Sequence, residues 1–182
     1  MTRNGSIRGF VGRSLTVGSA LVVLAAGSAC AITSPVTKPA PAQVAAAVRP
    51  SNSDLEVIRI DPSSVAPGST TTVHALIGNT GPDRTASPFT VVITLPEGVT
   101  PEGPFFPEDC TEFQNGHRVR CVFPAGLPRF RSATAVVPVR IADSVPIGDL
   151  TGGYVAVRSE DDRNPDNNRQ PFTIHVAETG RD

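Results

Sequence analysis

An all-β domain made of two packed antiparallel sheets is what this 182-residue sequence predicts, and three observations predict it. Apolar side chains recur at period two in Phe89-Val91-Ile93-Leu95, in Ala133-Ala135-Val137-Val139-Ile141 and in Phe172-Ile174-Val176, with Thr90, Thr94, Thr134, Arg140, Thr173 and His175 opposite them. That alternation places one face of a strand in a core and the other in water. No window sustains a helical period, so essentially no helix is expected. Finally, Cys110 and Cys121 are equidistant from the dipeptide Asn115-Gly116. Asn-Gly between strand-forming residues is the strongest short-range hairpin signal, because a type I′ turn needs positive φ at both central positions.

The chain opens on an export pattern. Arg3, Arg8 and Arg13 give a positive start with no acidic residue, Leu15 to Ala26 is apolar, and small residues follow through Ala29-Cys30-Ala31. This is the order of a signal peptide, assigned to residues 1–31. The apolar run is shorter than the roughly 20 residues that span a bilayer, and no second apolar run follows, so no transmembrane segment is expected in the mature chain. Cys30 reads in two ways: as the lipid-carrying first residue of a lipoprotein, which would anchor the protein to the membrane, or as a residue discarded by cleavage after Ala31. The position three residues before it is Gly27, where a lipoprotein box has an aliphatic residue. Either way two free thiols remain, an even number that suits one disulfide in an oxidising compartment.

Residues 32–53 are rich in Pro, Ala, Ser and Thr without amphipathic period and read as a disordered, semi-extended linker. From Asp54 the composition turns to β-branched residues punctuated by Gly, Pro, Asn and Asp, and 54–178 is the size of one domain, with 179–182 as a tail. Strands are expected at 54–60, 70–78, 88–95, 108–114, 117–123, 133–142, 152–159 and 171–177. Turns fall at Pro67-Gly68, Asn79-Thr80-Gly81-Pro82, Pro96-Glu97-Gly98 and Pro146-Ile147-Gly148. Pro138, inside a strand, points to an edge or a bulge, since it cannot donate to a ladder.

With Asn115-Gly116 as the loop, Gln114 faces His117, Phe113 faces Arg118, Glu112 faces Val119, Thr111 faces Arg120 and Cys110 faces Cys121. Counting outward puts the cysteines on a hydrogen-bonded rung, Cα atoms roughly 5.5 Å apart, which a disulfide tolerates. Closing so short a loop contributes about 3 kcal/mol in the chain-entropy account.

A single half-buried sheet cannot hide this many apolar faces, whereas two sheets face to face can. The expectation is an immunoglobulin-like β-sandwich of seven or eight antiparallel strands. The chain has no Trp, so it lacks the buried tryptophan of antibody domains, and its disulfide staples one hairpin instead of joining the sheets.

Gly78-Asn79-Thr80-Gly81-Pro82, the run PFTVVITLPEGVT, a cysteine hairpin ending RVRCVF, the run ATAVVPVRI and the loop DDRNPDNN before the last strand occur in that order over 54–177. This order resembles the conserved-repeat domain of unknown function of bacterial surface proteins and, more loosely, the bacterial cell-adhesion-related domain. The resemblance implies an immunoglobulin-like sandwich and carries over no catalytic residue.

Candidate chemistry is sparse. The loop from Glu160 to Asn168 holds Asp161, Asp162 and Asp166, a weak candidate for calcium, but it lacks EF-hand spacing, and Asx turns explain its composition as well. His74, His117 and His175 fall on separate strands, His74 and His175 facing solvent, with no carboxylate expected to converge on them. Glu97, Glu102, Glu108 and Asp109 are scattered near one end. No nucleophile elbow, zinc helix, P-loop or dinucleotide fingerprint occurs, so no catalytic residue, metal or cofactor is assigned. Phe105, Phe106, Phe113 and Phe130 either close one end of the core or form an exposed patch rimmed by Arg118, Arg120, Arg129 and Arg131; the patch of Phe105, Phe106, Phe130, Arg129 and Arg131 is the candidate partner surface.

The chain carries net −1, and residues 1–31 hold three arginines and no acid, leaving about −4 for the remainder. So weakly acidic a domain lacks the basic footprint that nucleic acid demands. The reading is therefore a secreted or surface-displayed, non-catalytic interaction or structural module of a bacterium, binding a protein or a cell-wall component. The alternative is a small-ligand carrier or enzyme inhibitor that uses loops at one end of the sandwich.

Overall fold

The computed structural model describes residues 49–178. The predicted signal segment, Cys30, most of the linker and the tail at 179–182 lie outside the described residues.

Among the described residues, nine strands form two antiparallel sheets: β1 (Leu55–Ile58), β2 (Thr70–Asn79), β3 (Phe89–Thr94), β4 (Val99–Pro101), β5 (Cys110–Phe113), β6 (Arg118–Phe123), β7 (Ser132–Ile141), β8 (Gly148–Ser159) and β9 (Arg169–Val176). One sheet has the order β1-β2-β7-β4 and the other β5-β6-β3-β8-β9. A single 3-10 turn at Pro165–Asn167 is the helical content of the described residues. The fold is an immunoglobulin-like β-sandwich, with two differences from the seven or eight strands expected.

The first is β4. Its three residues follow the turn at Pro96-Glu97-Gly98 and end on Pro101, too short for alternation to register. The second is β8, which begins four residues before the expected 152. Gly148–Leu150 pairs with β9 from Val176 to Ile174, the register then shifts, and pairing resumes at Gly153 opposite Phe172. Gly152 sits in that irregularity at φ +97°, a conformation that suits glycine. Its Gly-Gly sequence hid the first half of the strand. Elsewhere the bounds agree to within a few residues.

The alternating residues meet between the sheets. Val91, Ile93, Leu95, Val119, Ala135, Val137, Val139, Ile141 and Ile174 are fully buried, and Phe89 and Phe172 nearly so. Phe89 and Phe123 stack with ring centroids 5.0 Å apart.

Pro138 lies within β7, a central strand. Its neighbour on the β4 side breaks off at Pro101, where the Glu102 N–H donates to the Pro138 carbonyl at 2.8 Å, and returns at Phe106, which exchanges bonds with Val136. The missing proline N–H falls in that gap, so no ladder bond is lost. The outer edge of β9 is covered by the chain before β2: Val65 donates its N–H to the His175 carbonyl, and an Asp61 oxygen accepts the Thr173 N–H at 2.8 Å. Covering an edge in this way prevents it from templating another strand.

Residues 51–53, which composition placed in the linker, pack on the domain. Ser53 is 0 % exposed and bridges Asp162 in parallel, while the Ser51 N–H donates to Asp161.

Candidate functional site

Cys110 and Cys121 form a disulfide on the last rung of the β5–β6 hairpin, with the register expected from Asn115-Gly116. Asn115 and Gly116 both have positive φ, and the His117 N–H closes the turn on the Gln114 carbonyl. The Cα separation is 3.9 Å, shorter than the roughly 5.5 Å of a hydrogen-bonded rung. Both sulfurs lie in the core, so the bond is a staple within one sheet.

The aromatic candidates separate. Phe105 is partly buried and packs on the core. Phe106 and Phe130 are 60 % and 68 % exposed. Phe106 pairs with Val136 in the middle of the four-stranded sheet, whereas Phe130 donates its N–H to the Asn79 carbonyl beyond the end of that sheet. Val136 lies four residues, roughly 13 Å, along β7 from Ser132, and Phe130 lies beyond Ser132, so the two rings are at different places on the sheet. The outer face between them carries Ile58, Leu76 and Thr134 in adjacent register. Ile58, Gly78, Phe130 and Arg131 line a shallow depression there of about 270 Å³. Arg129 stacks its guanidinium 4.2 Å from the Phe130 centroid. The patch is therefore a mixed outer face on one sheet, in which Phe106, Val136, Leu76, Ile58 and Phe130 are interleaved with His74, Thr134 and Glu56, with Arg131 in the depression and Arg129 on the Phe130 ring. Arg118 and Arg120, expected on the same rim, lie instead on the outer face of the five-stranded sheet, because they alternate with the inward-facing Val119 and Cys121.

The structure does not bring the acidic loop together as a cation cage. Asp161 is 0 % exposed and turned inward, accepting the Ser87 N–H at 2.6 Å, the Ser51 N–H at 2.9 Å and the Ser87 hydroxyl at 3.1 Å. Burial pushes its carboxyl up, but these bonds and one from the Ala86 N–H outweigh it and hold the group below the usual carboxylate range. Asp162 accepts the Asn164 N–H in an Asx turn, and Asp166 lies on the 3-10 turn. Among the described residues no three His, Cys, Asp or Glu side chains converge to hold a metal.

His74, His117 and His175 are exposed. One difference from expectation is that His175 does meet a carboxylate, its Nδ1 lying 2.9 Å from Asp149 across the β8–β9 ladder.

Sequence reasoning missed the buried polar hubs. Asn79, 1 % exposed, accepts the Gly81 and Asp54 N–H groups on Oδ1 and donates from Nδ2 to the carbonyls of Asp83 and Leu127. Thr85 accepts the N–H groups of Gly126 and Leu127. Both tie the connection from Pro124 to Arg131 to the rest of the domain. The Asn-Thr-Gly-Pro string was visible as a turn, but nothing in it marked the asparagine as buried.

No protein-family model matches the sequence, and no curated protein does. The resemblance to the conserved-repeat domain thus stands on its residue order alone. Solved structures of similar shape include the seventh ScaB type I cohesin of Pseudobacteroides cellulosolvens, with 9 % identity over 70 % of this chain and 95 % of that one at a TM-score of 0.45. A collagen-binding domain from a Staphylococcus aureus adhesin gives 9 % identity, 70 % and 99 % coverage and a TM-score of 0.43. The third cohesin ScaC of Acetivibrio cellulolyticus, solved with a dockerin, gives 17 %, 67 %, 98 % and 0.42. At these values no ligand is transferred to this chain.

Proposed function

We propose that this protein is an exported, non-catalytic interaction module of a bacterium, displayed at the cell surface or released from it, and that it engages a partner protein through the outer face of its four-stranded sheet. The observation that carries the reading is the set of exposed apolar side chains on that face, Phe106, Ile58 and Phe130, with partly buried Val136 and Leu76 between them and Arg131 at the edge. Exposed aromatic and apolar side chains among polar groups are what partner surfaces consist of. The occupant that fits is a protein with an apolar ridge and a carboxylate opposite Arg131. Residues 1–31 serve as the export signal and the Pro/Ala-rich stretch as spacer; cleavage ahead of Cys30 instead of after Ala31 would leave that cysteine to carry a lipid tether.

The test is retention of a partner from the extracellular fraction by immobilised protein, against the variant Phe106→Ala/Phe130→Ala. Exposed aromatic anchors of an interface contribute about 2 kcal/mol or more each on truncation, so capture should drop well over tenfold with folding intact. Equal capture by both proteins refutes the face. Intact mass of the protein from its own host reports cleavage and any lipid on Cys30.

A second reading rests on the apolar cleft of about 240 Å³ lined by Phe89, Phe123, Leu127 and Pro128 at one end of the sandwich. It is the place where a small-ligand carrier would hold an apolar molecule. Saturable quenching of a hydrophobic dye that Ala133→Phe abolishes would favour it.

A further inference from the structure

The outer face of the five-stranded sheet, opposite the face of Phe106 and Phe130, carries an arrangement that the proposed function does not use. Register sets it out in rows across the strands. Arg118, Thr94 and Tyr154 form one row; Arg120, Val92, Ala156 and Arg169 the next; Val122, Thr90 and Arg158 the third. Four arginines thus surround a floor of small residues. The floor is concave, a groove of about 550 Å³ lined by Thr90, Val92, Ala156 and Arg158 and walled by Pro165 and Asn168.

None of the four arginines has a carboxylate within ion-pair distance among the described residues; the arginine ion pairs formed there are Arg59–Asp61 and Arg140–Glu102. Two of the four are held on the same phenol instead. The Arg169 guanidinium lies 3.6 Å from the Tyr154 ring centroid, and Arg118 donates to the Tyr154 hydroxyl at 3.1 Å. Arg118 Nε is buried without an acceptor. Glu112, the nearest acid on the hairpin, pairs with the core residue Val119 and so lies on the opposite side of β5. Asp149, at the far end of β8, is taken by His175. Asp166 follows Pro165 on the 3-10 turn and is not among the residues that line the groove. A chain that is acidic overall has gathered four positive charges onto one sheet face and prepositioned two of them.

We infer that this face docks an extended acidic polypeptide segment of a partner. Charge complementarity calls for an anion, and guanidinium groups suit carboxylates through paired N–H donors. Spacing selects an extended peptide. Arg118 and Arg120 are two residues apart on β6, about 6.6 Å, the same repeat at which carboxylates recur on one face of an extended chain with acidic residues at alternate positions. The β6 and β8 backbones stand two strands apart, roughly 10 Å; Arg118 bridges that span to Tyr154, and the part left open to one extended backbone is the groove beside Arg158, over Thr90, Val92 and Ala156.

The experiment uses the full chain with its disulfide intact and a fluorescent alternating Glu-Ser peptide of roughly sixteen residues, long enough to cross the face. Anisotropy is read at low salt and at about 300 mM, where exposed charge pairs are screened. Binding should weaken about tenfold or more on adding salt. It should weaken at least about tenfold again in Arg120→Ala/Arg158→Ala, whose side chains are exposed, and stay unchanged in Arg84→Ala, an exposed arginine on another loop. A peptide of the same composition with its glutamates in one block should bind more weakly than the alternating one. Equal loss in Arg84→Ala, or no saturable binding, overturns the site. Equal affinity for the blocked peptide, or tighter binding of a heparin oligosaccharide by the same arginines, overturns the extended peptide as occupant. Phe106→Ala/Phe130→Ala, on the other sheet, should leave this binding intact, which separates the inference from the proposed function.

Discussion

Asp161 holds the start of the domain to its far loop, and replacing it should cost more than any other surface-loop carboxylate. It lies in the loop after β8, yet its side chain is fully buried and accepts from Ser51, before β1, and from Ser87, before β3. In Asp161→Ala the N–H groups of Ser51 and Ser87 lose their acceptor. A donor left unpaired away from water costs about 1–3 kcal/mol, so two give a loss of about 2–6 kcal/mol. Asp161→Asn keeps one acceptor oxygen and turns an NH₂ toward a second donor, for about half that loss. Urea unfolding at neutral pH reads both. The charge itself is isolated by pH. The folded carboxyl titrates below its ordinary value of 3.8. Its contribution is therefore complete above the unfolded-state pKa of about 3.9 and is lost as pH falls through the lower folded value. The stability gap between the native protein and Asp161→Asn should stay constant from neutral pH down to about 4 and close below it. A gap under about 0.5 kcal/mol at pH 7, the level of an ordinary surface substitution, or a gap that persists in strong acid, would refute the assignment of Asp161 as an ionised clamp.

Other substitutions probe the remaining supports. Asn79→Ala removes acceptor and donor from four backbone partners at once. It should destabilise by about 2–4 kcal/mol in the same unfolding assay. Gly153→Ala places a methyl 2.5 Å from the Phe172 ring, which is buried and cannot retreat, so an overpacking cost of about 1–3 kcal/mol should appear as a lowered melting temperature. Reducing the Cys110–Cys121 bond, which closes a loop of sequence separation 11, should lower stability by about 3 kcal/mol without unfolding the other strands, measured as the change in urea midpoint with and without reductant. Phe106→Ala/Phe130→Ala should change the melting midpoint by little, since both rings stand mostly in solvent.

What could be read from the sequence follows the range of the physics that encodes it. Period-two alternation and Asn-Gly turn chemistry act between near neighbours, so β2, β3, β6, β7 and β9, the hairpin register and the disulfide were all legible. β4 and the first half of β8 were not, because each owes its strand state to a partner already in place. Val99–Pro101 is held by β7, and Gly148–Leu150 by the tail of β9. Tertiary pairing there overrides a local sequence of Gly, Asp and Pro that disfavours extended ladders. The same limit explains Asp161, which composition grouped with Asp162 and Asp166. Only the approach of Ser51 and Ser87, 110 and 74 residues away along the chain, makes it a buried acceptor instead of one of three exposed carboxylates.

Charge placement shows the limit most sharply. A net charge near −4 excluded a basic protein but averaged over two sheets with opposite outer faces. Arg118 and Arg120 looked like neighbours of the Phe-rich segment because they follow it in the chain. Strand alternation was sufficient to put them on one face of β6; the order β5-β6-β3-β8-β9 was needed to bring Arg158 and Arg169 to that face as well. Two surfaces of different chemistry result, one mixed with aromatic anchors and one cationic over a small-residue floor. They sit on opposite sides of a core fixed by the same alternation, so a variant on either face leaves the other unchanged. If the aromatic face and the arginine face serve one extended partner, Arg120→Ala/Arg158→Ala and Phe106→Ala/Phe130→Ala will each weaken its capture, and the double set will lose the product of the two factors, as expected for sites with no shared contacts. A loss smaller than that product means the two faces compete for the same segment.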